Sequence, residues 1–320
     1  MNTRKLGFAD LHLTTIGFGT WAIGGGGWQW AWGPQDDRDS IAAIRHGLEL
    51  GINWIDTAAA YGQGHAEEVV GQAIKGRRDE VIIATKCGLV WDEGSPNVYN
   101  RLTTSSVRRE AEASLRRLNV EAIDLYQIHW PVPDADIEQA WEAIAGLVQA
   151  GKVRYAGVSN FSVDQIKRAQ AIHPVASVQP PYSLLNRGIE AELLPYCRAN
   201  AIGVIAYSPM QSGLLTGKYT RERIAALPQD DWRKAGNPDF QEPALSANLA
   251  LIEKLRPIAA RSGKTMAQLA VAWVLHRPEI TAAIVGARRP GQIEETIEAA
   301  NWALSTEAYT EIDAVLAPVP

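Results

Sequence analysis

Short apolar runs rich in β-branched residues alternate along the chain with longer segments in which apolar residues recur every three or four positions. Eight such runs can be read in order: Thr15–Gly19, Ile52–Asp56, Val81–Lys86, Ile123–His129, Val153–Ser159, Val175–Gln179, Gly203–Tyr207 and Thr281–Val285. Most are apolar on both faces, as strands of a parallel sheet covered by helices must be. The segments between them are amphipathic. In Ser105–Leu118, residues Val107, Ala111, Leu115 and Leu118 share one helical face, and in Asp136–Ala150, residues Ile137, Trp141, Ile144 and Val148 do so, with Gly151 placed to stop the helix.

Strands alternating with helices build either a doubly wound sheet or a closed barrel. A dinucleotide-binding doubly wound sheet carries G-x-G-x-x-G after its first strand, and this chain has none. A length of 320 residues suggests two domains at first sight, but α/β barrels reach it as one. The expected fold is therefore α/β, a single (β/α)8 TIM barrel domain over residues 1–320, with its chemistry at the C-terminal ends of the strands. Arg4–Thr14 reads as a hairpin capping the barrel bottom. A long insertion follows the seventh strand, from Ser208 to about Gly263, and carries Pro209, Pro228, Pro238 and Pro243.

The charge balance adds an exclusion. With 31 Lys and Arg against 36 Asp and Glu, the net charge of −5 offers no general attraction to nucleic acid or an anionic membrane. The partner expected is a small molecule. Cys87 and Cys197 lie in no pattern that could bind zinc, so no metal is expected and both read as buried thiols. No run of about 18 apolar residues occurs, and Met1–Thr14 has no continuous apolar stretch, so cytoplasmic residence is the expectation. The sequence leaves the oligomeric state open. One anomaly stands out among the 11 Trp: Trp21, Trp28, Trp30 and Trp32 crowd one Gly-rich segment.

Some familiar patterns fail on context. Gly146–Lys152 matches the start of a phosphate loop but ends a helix before a strand, the reverse of the required order. Glu67 and Glu68 read as a solvated first helical turn, because neighbours on a helix point in different directions. What remains are polar residues that close apolar strands: Asp56, Lys86 and His129, which would face one mouth, with Tyr61 five residues after Asp56. Each alone can be structural, as a turn cap, a snorkelling lysine, a core histidine or a packed ring. Their convergence calls for chemistry.

At these residues the chain resembles the aldo-keto reductase superfamily. The resemblance is carried by Gly51-Ile-Asn-Trp-Ile-Asp-Thr-Ala-Ala-Ala-Tyr-Gly62, Ala84-Thr-Lys-Cys-Gly88, Asp124-Leu-Tyr-Gln-Ile-His-Trp-Pro131 and Gly157-Val-Ser-Asn-Phe161. Gln179, Tyr207-Ser-Pro209, Gly213-Leu-Leu-Thr-Gly-Lys218 and Ile284-Val-Gly-Ala-Arg288 extend it over nearly the whole chain. It implies an NADPH-dependent oxidoreductase that reduces aldehydes or ketones, with Asp56, Tyr61, Lys86 and His129 as catalytic tetrad.

Chemistry agrees with that implication. Carbonyl reduction needs a proton for the oxygen, and Tyr61 at its ordinary pKa of about 10 is a weak acid. Lys86 is expected to lower that pKa, Asp56 to hold Lys86, and His129 to orient the substrate oxygen and share the proton. By the same resemblance, NADP(H) would be bound through Ser159, Asn160 and Gln179 at the nicotinamide amide and Tyr207 against its ring. Ser208, Gly213, Leu214 and Lys218 would lie along the pyrophosphate, and Gly286, Arg288, Gln292 and Glu295 at the adenosine end, with Arg288 on the 2′-phosphate. Thr296 stands where the family often has Asn. Trp21, with Trp91 and Trp130, is the expected substrate wall. Two other readings remain at this point. One is a cofactor-sensing binding protein similar to channel β subunits, and the other a cofactor-free hydrolase in which Asp56 converges with Glu67 or Asp124.

Overall fold

A computed structural model describes residues 1–317. Two short strands, β1 (Thr3–Lys5) and β2 (His12–Thr14), pair antiparallel as the expected hairpin. Eight parallel strands then close a barrel in the order β3 (Ile16–Gly19), β4 (Trp54–Asp56), β5 (Ile82–Cys87), β8 (Ile123–Ile128), β9 (Val153–Ser159), β10 (Ser177–Gln179), β11 (Gly203–Ala206) and β12 (Ile280–Gly286), with β12 returning to β3. Each of the eight expected runs overlaps one of these strands, with β5 and β12 reaching a residue past the expected ends. Between β5 and β8 the chain adds a hairpin that the hydrophobic pattern does not announce, β6 (Leu89–Trp91) and β7 (Val98–Asn100). The insertion after β11 is partly helical, and its last part, Ala244–Arg261, is a full helix of the outer shell.

Two apolar compartments hold the barrel together. The inner one stacks Leu6, Leu11 and Leu13 of the hairpin region on Trp54, Leu125, Ile205 and other inward residues, so the hairpin plugs the N-terminal end. The outer one packs the helices on the strands through residues such as Val107, Leu118, Trp141 and Ile144, which include most of those that shared a face in the sequence. At the barrel base, Asp124 accepts from Arg78 Nη2 (2.7 Å), Arg154 Nη1 (2.6 Å) and the backbone N–H of Ile83 (2.9 Å), binding β5, β8 and β9. Asp124 thus sits toward the N-terminal end of the sheet, whereas Asp56 closes β4 at the other end. A hydrolytic pair of these two is ruled out by topology. Among the described residues no helix is long and apolar enough to cross a membrane.

Trp54 is fully buried, and its indole N–H donates to the carbonyl of Thr14. It fills the inner barrel only because Gly17 on the neighbouring strand has no side chain: a Cβ there would lie 2.0 Å from the indole. Gly17→Ala is therefore expected to destabilise the fold by about 1–3 kcal/mol, the usual cost of overpacking. Chemical denaturation checks this, and an unchanged midpoint would show that Trp54 can repack.

Candidate active site

Asp56, Lys86 and His129 come from the C-terminal ends of three adjacent barrel strands, and Tyr61 from the loop after β4. The loop turns back through left-handed backbone at Gly62 (φ 60°), Gln63 (φ 55°) and Gly64 (φ 103°). Gly62 is needed for a second reason, since a Cβ there would meet the carbonyl oxygen of Gly24 at 2.0 Å. The Tyr61 turn and the first βα loop thus touch backbone to backbone.

Lys86 is the centre of the group. Its Nζ donates to Asp56 Oδ2 (2.8 Å), the Thr57 carbonyl (2.9 Å) and Tyr61 Oη (3.1 Å), and the residue is 1% exposed. Three acceptors match the three protons of an ammonium. Burial pushes Lys86 down and Asp56 up, and each opposes the other's shift by its charge. Tyr61, in turn, is driven well above its ordinary pKa by burial and then by Asp56. This direction is opposite to the expected lowering: burial dominates, and the charge of Asp56 adds to it. Because Tyr61 Oη accepts from Lys86, its own proton is free to be donated elsewhere. His129 is pushed well below its ordinary value by burial and then by Lys86, so it is a neutral imidazole and has no extra proton to share. Its ring stands edge-on to Tyr61, with centroids 5.7 Å apart.

A chain of hydrogen bonds runs on from this group. Gln179 Nε2 donates to Asp56 Oδ1 (2.7 Å), and Ser159 Oγ donates to the Gln179 carbonyl (2.8 Å). Asn160 Nδ2 donates to Ser159 Oγ (3.1 Å) and the His129 carbonyl (3.0 Å), while Tyr207 Oη donates to Asn160 Oδ1 (2.9 Å). Asn160 makes these bonds from left-handed backbone (φ 62°). The sequence offered no sign that Gln179 braces Asp56.

Asp56, Tyr61, His129, Ser159, Asn160, Gln179 and Tyr207, but not Lys86 or Thr57, border one cleft of about 990 Å³ at the C-terminal mouth, at the upper end of the roughly 300–1,000 Å³ usual for ligand sites. Ser208, Gly213, Lys218, Gly286, Arg288, Gln292 and Glu295 also border it, as does Thr296. Gln211, Ser212 and Gly213 form a left-handed run (φ 46°, 54° and 91°) that brings backbone to the cleft. The Leu214 side chain does not border it but is buried in the outer core, at the start of a tight turn. Lys218 and Glu295 form an ion pair of 2.6 Å between the insertion and the helix Pro290–Ile297. Arg288, by contrast, has no carboxylate partner among the described residues. Burial, then Arg233, lower its pKa.

The aromatic wall is partly as expected. Trp21 packs on Tyr61 (5.2 Å between centroids), Trp28 (5.4 Å) and Trp30 (6.0 Å), and Trp130 is half-exposed at the rim. Trp28 is buried packing, with its N–H on the Gly25 carbonyl. Trp32 lies away from this group, under the Arg233 guanidinium at 4.4 Å. Trp91 does not border the cleft. The added hairpin reaches it with Leu89 and Asn100, and Trp91 lies two residues farther out, about 7 Å along the strand. Buried cleft-side donors without partners, Trp21 Nε1, Trp32 Nε1 and Thr20 Oγ1, fit a polar ligand.

Behind β5 lies a layer missed by the sequence reading. Glu67 is fully buried, not solvated: Oε1 accepts from Thr85 Oγ1 (2.6 Å) and Oε2 from Arg117 Nε (2.7 Å). Glu68 is exposed as expected. Glu67 is thereby committed outside the barrel and cannot serve as a second acid. Glu110 accepts from the Gly88 N–H (2.8 Å) and Ser106 Oγ (2.9 Å), and burial raises its pKa from 4.5 to about 7. Cys87 and Cys197 are buried free thiols.

Comparison with known proteins agrees with this arrangement. The model of the Aldo/keto reductase family matches residues 15–317. The chain is 42% identical to the aldo-keto reductase YhdN of Bacillus subtilis over 319 residues, covering 99% of this chain and 94% of that protein. It is 37% identical to the NADH-specific methylglyoxal reductase of Escherichia coli, with 95% of each covered. The glycerol dehydrogenase structure from Gluconobacter oxydans superposes with a TM-score of 0.89 at 38% identity, covering 100% of this chain and 98% of that one.

The raised pKa of Glu110 predicts a pH signature. The folded state holds its proton more tightly than the unfolded chain, so this contribution is complete below about pH 4.5 and is lost as pH rises through about 7. A shift from 4.5 to about 7 corresponds to a loss of about 3 kcal/mol. Relative to Glu110→Gln, which cannot ionise, the native protein should lose that much stability between about pH 5 and 8. A pH-independent difference in denaturation midpoints would assign Glu110 an ordinary carboxylate pKa.

Proposed function

Since the chain belongs to the aldo/keto reductase family, we propose that it reduces small aldehydes or ketones to alcohols with a nicotinamide dinucleotide, NADPH in preference to NADH. The observation that carries this reading is the buried Lys86 ammonium, bonded at once to Asp56, the Thr57 carbonyl and Tyr61, of which Asp56 and Tyr61 border the cleft. When bound, the cofactor supplies a hydride for the carbonyl carbon. Ser159, Asn160, Gln179 and Tyr207 would hold its nicotinamide, and the Gln211–Gly213 backbone with Lys218 its phosphates.

The proton is the task of this chain. Tyr61 remains a neutral phenol across the physiological range, donating only as negative charge develops on the carbonyl oxygen. Lys86 then stabilises the resulting phenolate through the bond it already makes, without moving. Asp56 keeps the ammonium charged and fixed, and Gln179 fixes Asp56. Neutral His129 orients the oxygen as a hydrogen-bonding group. Trp21 and Trp30 with Trp130 and Leu89 form an apolar wall suited to a planar or aliphatic carbonyl.

NADPH preference is supported by Arg288, a half-buried cation without a carboxylate partner among the described residues, on which the charges of Arg233 and Arg289 act against that of Asp231. Such a site favours an anion. Family membership does not decide the matter, because the Escherichia coli relative is NADH-specific.

Steady-state oxidation of NADPH against aliphatic, aromatic and sugar aldehydes tests the activity. Binding without turnover on every member would favour a cofactor sensor. Tyr61→Phe should lower turnover by about 10²–10⁴-fold, the usual worth of a general acid, with cofactor affinity unchanged. Retention of more than about a tenth of native turnover contradicts the role. Trp21→Ala should raise KM for aromatic aldehydes more than for short aliphatic ones, and an equal effect on both would mean loss of loop order.

A further inference from the structure

Arg288 is held in an unusual way. Its guanidinium donates to three neutral acceptors, all on the loop between β3 and the helix Asp37–Glu49: Nε to Gln35 Oε1 (2.5 Å), Nη1 to the Trp32 carbonyl (3.2 Å) and Nη2 to the Pro34 carbonyl. Gln35 is fixed in return. Its amide nitrogen donates to the Arg288 carbonyl (3.0 Å) and to Ser40 Oγ (3.0 Å). The next residue, Asp36, caps the helix by accepting from the N–H groups of Arg38 and Asp39. One side chain on a helix start therefore grips both the head and the backbone of Arg288. A guanidinium has five N–H groups, so two are left.

We propose that Gln35 sets the preference for a phosphorylated dinucleotide, by holding the Arg288 fork in place while leaving its charge uncancelled. The proposal rests on the reading of Arg288 as the 2′-phosphate contact. Three neutral acceptors fix the plane of the guanidinium, so its ordering is complete before a phosphate arrives. Being neutral, they leave its net positive charge in place for a dianion. A carboxylate at position 35 could reach the same guanidinium but would neutralise it. The difference between Gln and Glu at this site is a difference in charge at nearly constant shape.

The experiment measures dissociation constants by tryptophan fluorescence and calorimetry for NADPH and NADH, and for adenosine 2′,5′-bisphosphate against 5′-AMP. The proteins are the native chain, Q35A, Q35E and R288A, each checked for its thermal midpoint. Losing an advance-ordered arginine costs roughly threefold to tenfold in affinity, so Q35A should weaken NADPH and the bisphosphate by that factor and NADH by less than about twofold. Q35E should weaken NADPH more than Q35A does. An unchanged or increased NADPH-to-NADH ratio in Q35A overturns the role of Gln35, as does an equal loss for both cofactors with a lowered midpoint, which would make Gln35 a loop support only. If R288A itself keeps the native ratio, the 2′-phosphate reading of Arg288 fails instead, and the proposal falls with it.

Discussion

The burial of the Lys86 ammonium is the constraint on which the site depends. A charge taken out of water costs several kcal/mol unless it is paired and its donors are satisfied. Here all three protons are accepted, and every acceptor lies between the end of β4 and the Tyr61 turn. The ammonium therefore ties β5 to β4 and fixes the path of the chain after β4. Removing one partner from such a buried pair typically costs about 3–5 kcal/mol. Nor can the charge be met by water, since Lys86 is 1% exposed. The same bonds that make Lys86 tolerable place Tyr61 Oη beside it.

Support for this arrangement comes from both sides of the barrel wall. Inside, the network from Gln179 through Ser159 and Asn160 to Tyr207 brings the ends of β9, β10 and β11 to bear on Asp56 and on the His129 backbone. Outside, carboxylates from the helices hold the chain on both sides of Lys86: Glu67 accepts from Thr85 next to it, and Glu110 from Gly88 just past the end of β5. Glu67 is held by Arg117, whose stem would meet a Cβ on Gly64 at 2.8 Å. The turn that carries Tyr61 and the strand that carries Lys86 thus rest on one buried ion pair.

How much of this was legible follows from what sequence patterns report. Apolar runs closed by Asp56, Lys86 and His129 were readable because a polar residue that ends a two-faced apolar strand is placed, in a barrel, at the mouth. The buried role of Glu67 was not: polarity marks a residue as solvated unless its partners are known, and Arg117 is 50 positions away. That the side chains of Trp91 and Leu214 do not line the cleft was hidden for a different reason. Motif position gives the neighbourhood of a residue along the chain but not the direction of its side chain, and the β6–β7 hairpin and the turn at Leu214 decide that direction. The bond between Gln35 and Arg288 spans 253 residues and leaves no local trace.

Two cations serve the site under opposite electrostatic regimes, Lys86 buried behind the cleft lining and Arg288 on it. Lys86 is matched by a carboxylate and two neutral oxygens, so its neighbourhood is close to neutral and gains little from binding a further anion. Its value lies in what it can do when charge appears on Tyr61 during a reaction, which is how electrostatic groups act on a transition state more than on a ground state. Arg288 is hydrogen-bonded only to neutral groups, with Arg233 and Asp231 acting on it in opposite senses from farther away. No carboxylate among the described residues pairs with it, so it acts on the ground state, where affinity and discrimination are decided. Lys218, already paired with Glu295, is intermediate. Net charge alone would treat Lys86, Arg288 and Lys218 as alike; it is the charge of their partners that separates a group suited to chemistry from one suited to recognition.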